Sequence, residues 1–111
     1  MRILFDQGTP APLRPHLIGH DIKLAYEQGW ATLQNGDLLN AAEAAGFEVF
    51  ITTDKNLRYQ QNLSHRKIAL IVLSAPSWPR IERIKDRIVA ALETIKANDY
   101  LEIEVPYENA S

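Results

Sequence analysis

The 111-residue chain has no cysteine. That excludes a disulfide framework, a thiolate zinc site and a cysteine nucleophile, and it fits a reducing compartment. No window approaches the roughly 20 apolar residues of a membrane span, and "MRILFDQ" lacks the apolar length of a signal peptide. A soluble, cytoplasmic protein without membrane contact is therefore expected. The five glycines are scattered, and neither "QGT" nor "NGD" has the repeats of a phosphate-binding loop. Ser74 and Ser77 lack the surroundings of a nucleophile elbow. The three histidines, His16, His20 and His65, do not stand at metal-ligand spacing and read as loop residues. Acid is missing from one long stretch: after Asp54 none occurs until Glu82, while Lys55, Arg58, Arg66, Lys67 and Arg80 fall between them. Such a stretch either attracts a polyanion or pairs with acids from elsewhere in the fold. Acids gather instead at the end, where Asp99, Glu102, Glu104 and Glu108 lie within the last 13 residues.

What remains is an ordinary globular composition, 46% apolar, of a length that buries one core. "RILF" (2–5) is a short apolar run and reads as a buried strand. The prolines at 10, 12 and 15 allow only a short or irregular helix after it. "HDIKLAYE" (20–27) alternates Ile22, Leu24 and Tyr26 on one face, as a half-buried strand does. "DLLNAAEAAG" (37–46) is a helix closed by Gly46, and "EVFITT" (48–53) is a central strand. "KNLRYQQNL" predicts a short helix and "KIALIVL" (67–73) a strand covered on both faces. Ser77 caps a helix over 79–97, with Ile81, Ile84, Ile88, Leu92 and Ile95 in one stripe. "YLEIEVPY" alternates as an edge strand stopped by Pro106. Strands and helices thus alternate, which implies a single α/β domain with a mostly parallel, roughly five-stranded sheet and helices on both faces.

In such sheets ligands bind beyond the carboxyl ends of the strands. Asp6 follows the first strand and Asp54 the third, so both carboxylates emerge on one edge if those strands are parallel. Asp37, opening the second helix, is the third candidate for that rim. Clustered carboxylates suit magnesium or manganese, which activate water and stabilise phosphodiester displacement. Each aspartate also has a structural reading: Asp6 as acceptor for its turn amides, Asp37 as complement to a helix dipole, Asp54 as a helix cap. Lys55, Arg58 and Tyr59 either bind and stack nucleic acid or form a solvated helix face. Trp30 and Trp78 are expected to pack over the core.

"RILFDQGTPAPLRPHL", "NGDLLNAA", "ITTDKNL" and "RKIALIVL" resemble the small bacterial PIN-like proteins associated with toxin–antitoxin genes, over roughly residues 2–98. The resemblance implies a three-layer α/β/α, Rossmann-like fold and a Mg2+- or Mn2+-dependent ribonuclease, with a cognate antitoxin as partner. It places Asp6, Asp37 and Asp54 on the metal as the catalytic acids, Asn56 beside them orienting bound water, and Lys55 and Arg58 on RNA phosphate. Two positions depart from the pattern. Gly8 stands where relatives often carry asparagine, and Asn56 where they often carry a second aspartate. The alternative is a non-catalytic scaffold of the same fold that binds RNA, a protein partner or a second copy through the segment "YLEIEVPYENA".

Overall fold

The computed structural model describes residues 1–107. Five short strands form one all-parallel sheet: β1 (Arg2–Phe5), β2 (Asp21–Leu24), β3 (Val49–Thr52), β4 (Ala69–Leu73) and β5 (Tyr100–Ile103), in the order β2-β1-β3-β4-β5. The helices are α1 (Asn35–Ala44), α2 (Leu57–Gln60), α3 (Trp78–Arg83) and α4 (Lys85–Thr94), with 3-10 turns at Ala11–His16 and Ala25–Gln28.

The strand faces follow the period of two. Ile3, Phe5, Val49, Ile51, Ile71 and Leu73 meet Leu13, Ile81, Ile88 and Leu92, under the first 3-10 turn, α3 and α4. Leu4, Phe50 and Leu70 meet Leu38, Leu39, Ala42 and Leu57, under α1 and α2. Every residue of β3 and β4 is buried, as their unbroken apolar runs require. Glu43 ties α1 to the entry of β4. It accepts from Arg66 Nη1 at 2.8 Å and from the amides of Lys67 and Ile68 at 2.7 and 3.2 Å. Burial raises its carboxyl, but those donors together hold it below the usual glutamate value.

The three-layer arrangement agrees with the expectation; three details differ. The chain leaves the sheet after Leu24, because Glu27 accepts the Leu24 amide at 2.8 Å and Gly29, at φ +79°, turns the backbone away. Tyr26 consequently stands 62% exposed rather than lining a strand. The helix expected over 79–97 is two helices broken at Ile84 (φ −116°, ψ 14°). Helix α1 starts two residues early, at Asn35, which makes Asp37 its third residue. Strand β5 lies at the sheet edge as expected; Glu108 to Ala110 of the suggested contact segment lie outside the described residues. Among the described residues, no helix is long and apolar enough to cross a membrane.

Candidate functional site

The strand order reverses between β1 and β3. The chain steps from β1 outward to β2, then crosses back over α1 to β3 on the other side of β1. A crevice opens at the carboxyl ends of strands at such a switch point, and Asp6 and Asp54 are the carboxylates that emerge there.

A buried threonine couples them. Thr52, the last residue of β3 and 1% exposed, donates its hydroxyl to Asp6 Oδ2 at 2.5 Å and accepts the Asp54 amide at 3.1 Å. Thr9 brings a second hydroxyl, 2.7 Å from Asp6 Oδ1 and 2.8 Å from the Ile51 carbonyl. Asp6 is thus held in one orientation. Burial pushes its carboxyl above the usual 3.8, against the hydroxyls of Thr52 and Thr9 and the amides of Thr9 and Gly8, which pull it down. Asp54 is oriented from two other directions: Asn35 Nδ2 donates to Oδ2 at 2.9 Å, and the Asn56 amide donates to Oδ1 at 2.9 Å. No ion pair between described residues includes Asp6, Asp37 or Asp54.

The Asp37 side chain is exposed, and no side-chain hydrogen bond or ion pair among the described residues includes it. Residues two apart on a helix do not share a face, so the bond from Asn35 to Asp54 does not bring Asp37 with it. Among the described residues, no group of three or more His, Cys, Asp or Glu is placed to hold a metal ion. The edge therefore joins two of the three expected acids. Asn56 acts on Asp54 through its backbone amide and is otherwise exposed.

Gly8 has a packing reason. A Cβ at this position would lie 2.5 Å from Thr53 Oγ1 and 3.8 Å from Asp6 Oδ1. The loop after β1 runs too close to the β3 exit for a side chain there unless the Thr53 hydroxyl turns away.

The basic stretch is largely engaged. Arg58 lies 3.5 Å from Glu102 and stacks on Tyr59 and Tyr100. Arg66 pairs with Glu43, and Arg80 caps the carbonyls of Val105 and Pro106. Lys55 lines a cleft of about 220 Å³ with Glu102 and Glu104 at the ends of β4 and β5. Tyr59 remains 72% exposed. Trp78 packs on the core and on His16, and Trp30 sits edge-on to Phe47 at 6.0 Å.

Two clefts meet at Asp6. One, of about 170 Å³, is walled by Gln7, Gly8, Trp30, Leu33, Asn35 and Leu38. The other, of about 220 Å³, is walled by Gln7, Thr9, Pro10, Leu24 and Tyr26. A more apolar cleft of about 320 Å³ lies at the opposite edge, against Phe47, Ile68 and Ile95. It lies at the amino ends of the strands, remote from the carboxylates, so it is not the site. No family model matches the chain, and neither does any curated protein or solved structure.

Three site residues escaped the sequence reading. Thr9 and Thr52 are the buried polar residues of the described chain. A hydroxyl closing an otherwise apolar central strand was the available signal for Thr52. Asn35 precedes the helix expected over 37–46, and its role appears only once α1 is extended back to "NGD".

Proposed function

We propose that this chain is a PIN-like, metal-dependent ribonuclease working at the crevice between β1 and β3. One observation carries the reading: two carboxylates leave adjacent parallel strands at the reversal of strand order, each oriented by dedicated donors and neither neutralised by a cation. Carboxylates left without a cation at such a rim are available as oxygen ligands for a hard ion.

The donors fit a hard ion. Asp6, Asp54 and the carbonyl of Asn35 offer oxygen only, and magnesium needs one or two carboxylates, with water and substrate phosphate completing its shell. Asp6 and Asp54 would hold the ion. A bound magnesium or manganese ion supplies an activated water and charge stabilisation for phosphodiester displacement. The chain's own part is positioning: Thr52 and Thr9 fix Asp6, while Asn35 and the Asn56 amide fix Asp54. Lys55, with Arg58 when it is released from Glu102, meets phosphate.

The test is cleavage of a single-stranded RNA with manganese or magnesium and with chelator. Wild type is expected to cut only with the metal, and Asp54→Asn to lose at least about a hundredfold, given the several kcal/mol a catalytic ion contributes. Metal-independent cutting, or full activity in Asp54→Asn, would remove the proposal.

A non-catalytic scaffold is the second reading, favoured by the outer edge of β5. Leu101 and Ile103 lie half-buried there beside α4, along an open groove. An extended segment of an antitoxin or of a second copy can pair with such an edge.

A further inference from the structure

Strand β5 leaves one edge of the sheet open, and its backbone restricts what can fill it. The carbonyls of Asp99 and Ile103 accept from the amides of Leu70 and Ser74, at 2.9 and 3.1 Å. Successive residues of a strand turn their backbone groups to opposite sides. The N–H and C=O groups of Tyr100 and Glu102 therefore point outward, where the strand order ends. Side chains alternate between the two faces. Leu101 and Ile103 lie on the α4 face, along an open groove of about 580 Å³ walled by Arg87, Ala90, Ala91 and Thr94. Tyr100 and Glu102 lie on the α2 face with Arg58, whose guanidinium is 3.5 Å from Glu102 and 5.7 Å from the centre of the Tyr100 ring.

We infer that β5 pairs antiparallel with β5 of a second copy, about a twofold axis at Leu101. Outward-facing residues must meet outward-facing residues, which leaves few registers. An axis at Glu102 sets the two Glu102 carboxylates opposite each other, and one at Ile103 sets Glu102 opposite the partner's Glu104. Like charges directly opposite are unfavourable. An axis at Tyr100 places Leu101 against the partner's Asp99. With the axis at Leu101, Tyr100 faces the partner's Glu102 in both directions, and each incoming carboxylate arrives beside the guanidinium of Arg58. Leu101 then meets the partner's Leu101 beside the small side chains of Ala90 and Ala91. Backbone bonding, charge and apolar contact agree in this one self-complementary register, as an isologous contact requires. A segment of another protein could satisfy the same backbone groups, but the match of the strand to itself selects the second copy. The contact rests on the same open edge as the scaffold reading and leaves the β1–β3 crevice free. The two crevices of the pair open in opposite directions.

The experiment is sedimentation of the full chain over a range of concentrations, with single cysteines reporting the register. Wild type is expected to form dimers. Leu101→Lys sets two cations face to face on the axis and is expected to weaken association at least about tenfold. The chain has no cysteine of its own. Across the axis the two residues at position 101 stand about 4.5 Å apart at Cα, within disulfide reach, so Leu101→Cys is expected to cross-link on mild oxidation. The two residues at position 103 are offset by about 13 Å along the strands, so Ile103→Cys is expected to stay largely uncross-linked. Preferential cross-linking of Ile103→Cys overturns the inference, as does undiminished association in a folded Leu101→Lys. If Leu101→Lys does not fold, the two cysteine variants decide. A wild type that stays monomeric to about 0.5 mM excludes the second copy and leaves the edge to another protein. None of these readouts involves RNA or metal, so the nuclease proposal stands or falls separately.

Discussion

Asp6→Asn is expected to make the protein more stable at neutral pH and to abolish the metal-dependent cleavage proposed above. The two effects have one origin. The Asp6 carboxyl is buried, and its pKa lies above the usual 3.8 because burial outweighs the hydroxyl and amide donors around it. A carboxyl whose folded value is raised contributes stability while protonated, and that contribution is lost as pH rises through the folded value. At neutral pH the native state therefore carries a charge that burial disfavours. Asparagine removes the charge and still satisfies the neighbours. Its carbonyl can accept from Thr52, and its amide can donate to Thr9, which then gives its own hydroxyl proton to the Ile51 carbonyl 2.8 Å away. The gain over wild type should be absent at pH 3 and grow from about pH 4 upward. Thermal melts across that range measure it, since each ~1 kcal/mol moves the midpoint by roughly 4 °C in a domain of this size. Cleavage should fall at least about a hundredfold, because the residue supplying the inner carboxylate is gone. A destabilised Asp6→Asn with a flat pH response would mean that Asp6 serves the fold.

Thr52→Val has the second largest expected effect. Valine keeps the shape of threonine in a site 1% exposed, so packing is conserved. What disappears is the hydroxyl between the two carboxylate-bearing residues. Asp6 loses its donor at 2.5 Å, and the Asp54 amide loses its acceptor at 3.1 Å. Leaving a buried polar group unsatisfied costs about 1–3 kcal/mol, so a stability loss of that order is expected in denaturant unfolding. Activity should fall roughly 10–100-fold, as when groups that orient metal ligands are removed. A loss of stability alone would be a structural result, so the pH profile separates the cases. Without its Thr52 donor the Asp6 carboxyl rises further, and the acid limb of the rate profile should move to higher pH. Thr52→Ser, which keeps the hydroxyl, should restore both rate and limb. An unshifted limb in Thr52→Val would disconnect the threonine from Asp6.

The fold was legible where burial dictates composition. The runs in β1, β3 and β4 are apolar because both faces are covered, and their order with intervening helices left a parallel sheet as the consistent arrangement. Periodicity misled where a local capture competed with it: Tyr26 keeps strand spacing, but Glu27 and Gly29 end the strand at Leu24. The break at Ile84 was invisible for a different reason. Ile84 and Ile88 stay in phase across it and are both buried, so the stripe reads as one helix.

At the site, Asp6 and Asp54 were found because strand exits can be read from hydrophobic boundaries. Asp37 was found as a helix opener, which it is, but the sequence could not say which way the first turn of α1 points. The hydroxyls of Thr9 and Thr52 and the amide of Asn35 were missed because their importance lies in distances across strands, between residues 6 and 52 or 35 and 54. The basic stretch illustrates the converse. Its partners, Glu43 and Glu102, lie outside it in the chain and become neighbours only through the fold.

The most direct test of the account is calorimetric titration of manganese into the wild-type protein, Asp6→Asn and Asp54→Asn, each first shown to be folded. One site per chain is expected in wild type, lost in both variants, with proton release on binding that diminishes as pH rises above the Asp6 titration. A wild-type protein that takes up no manganese, or a site that survives in both variants, would contradict a metal centre at the β1–β3 crevice.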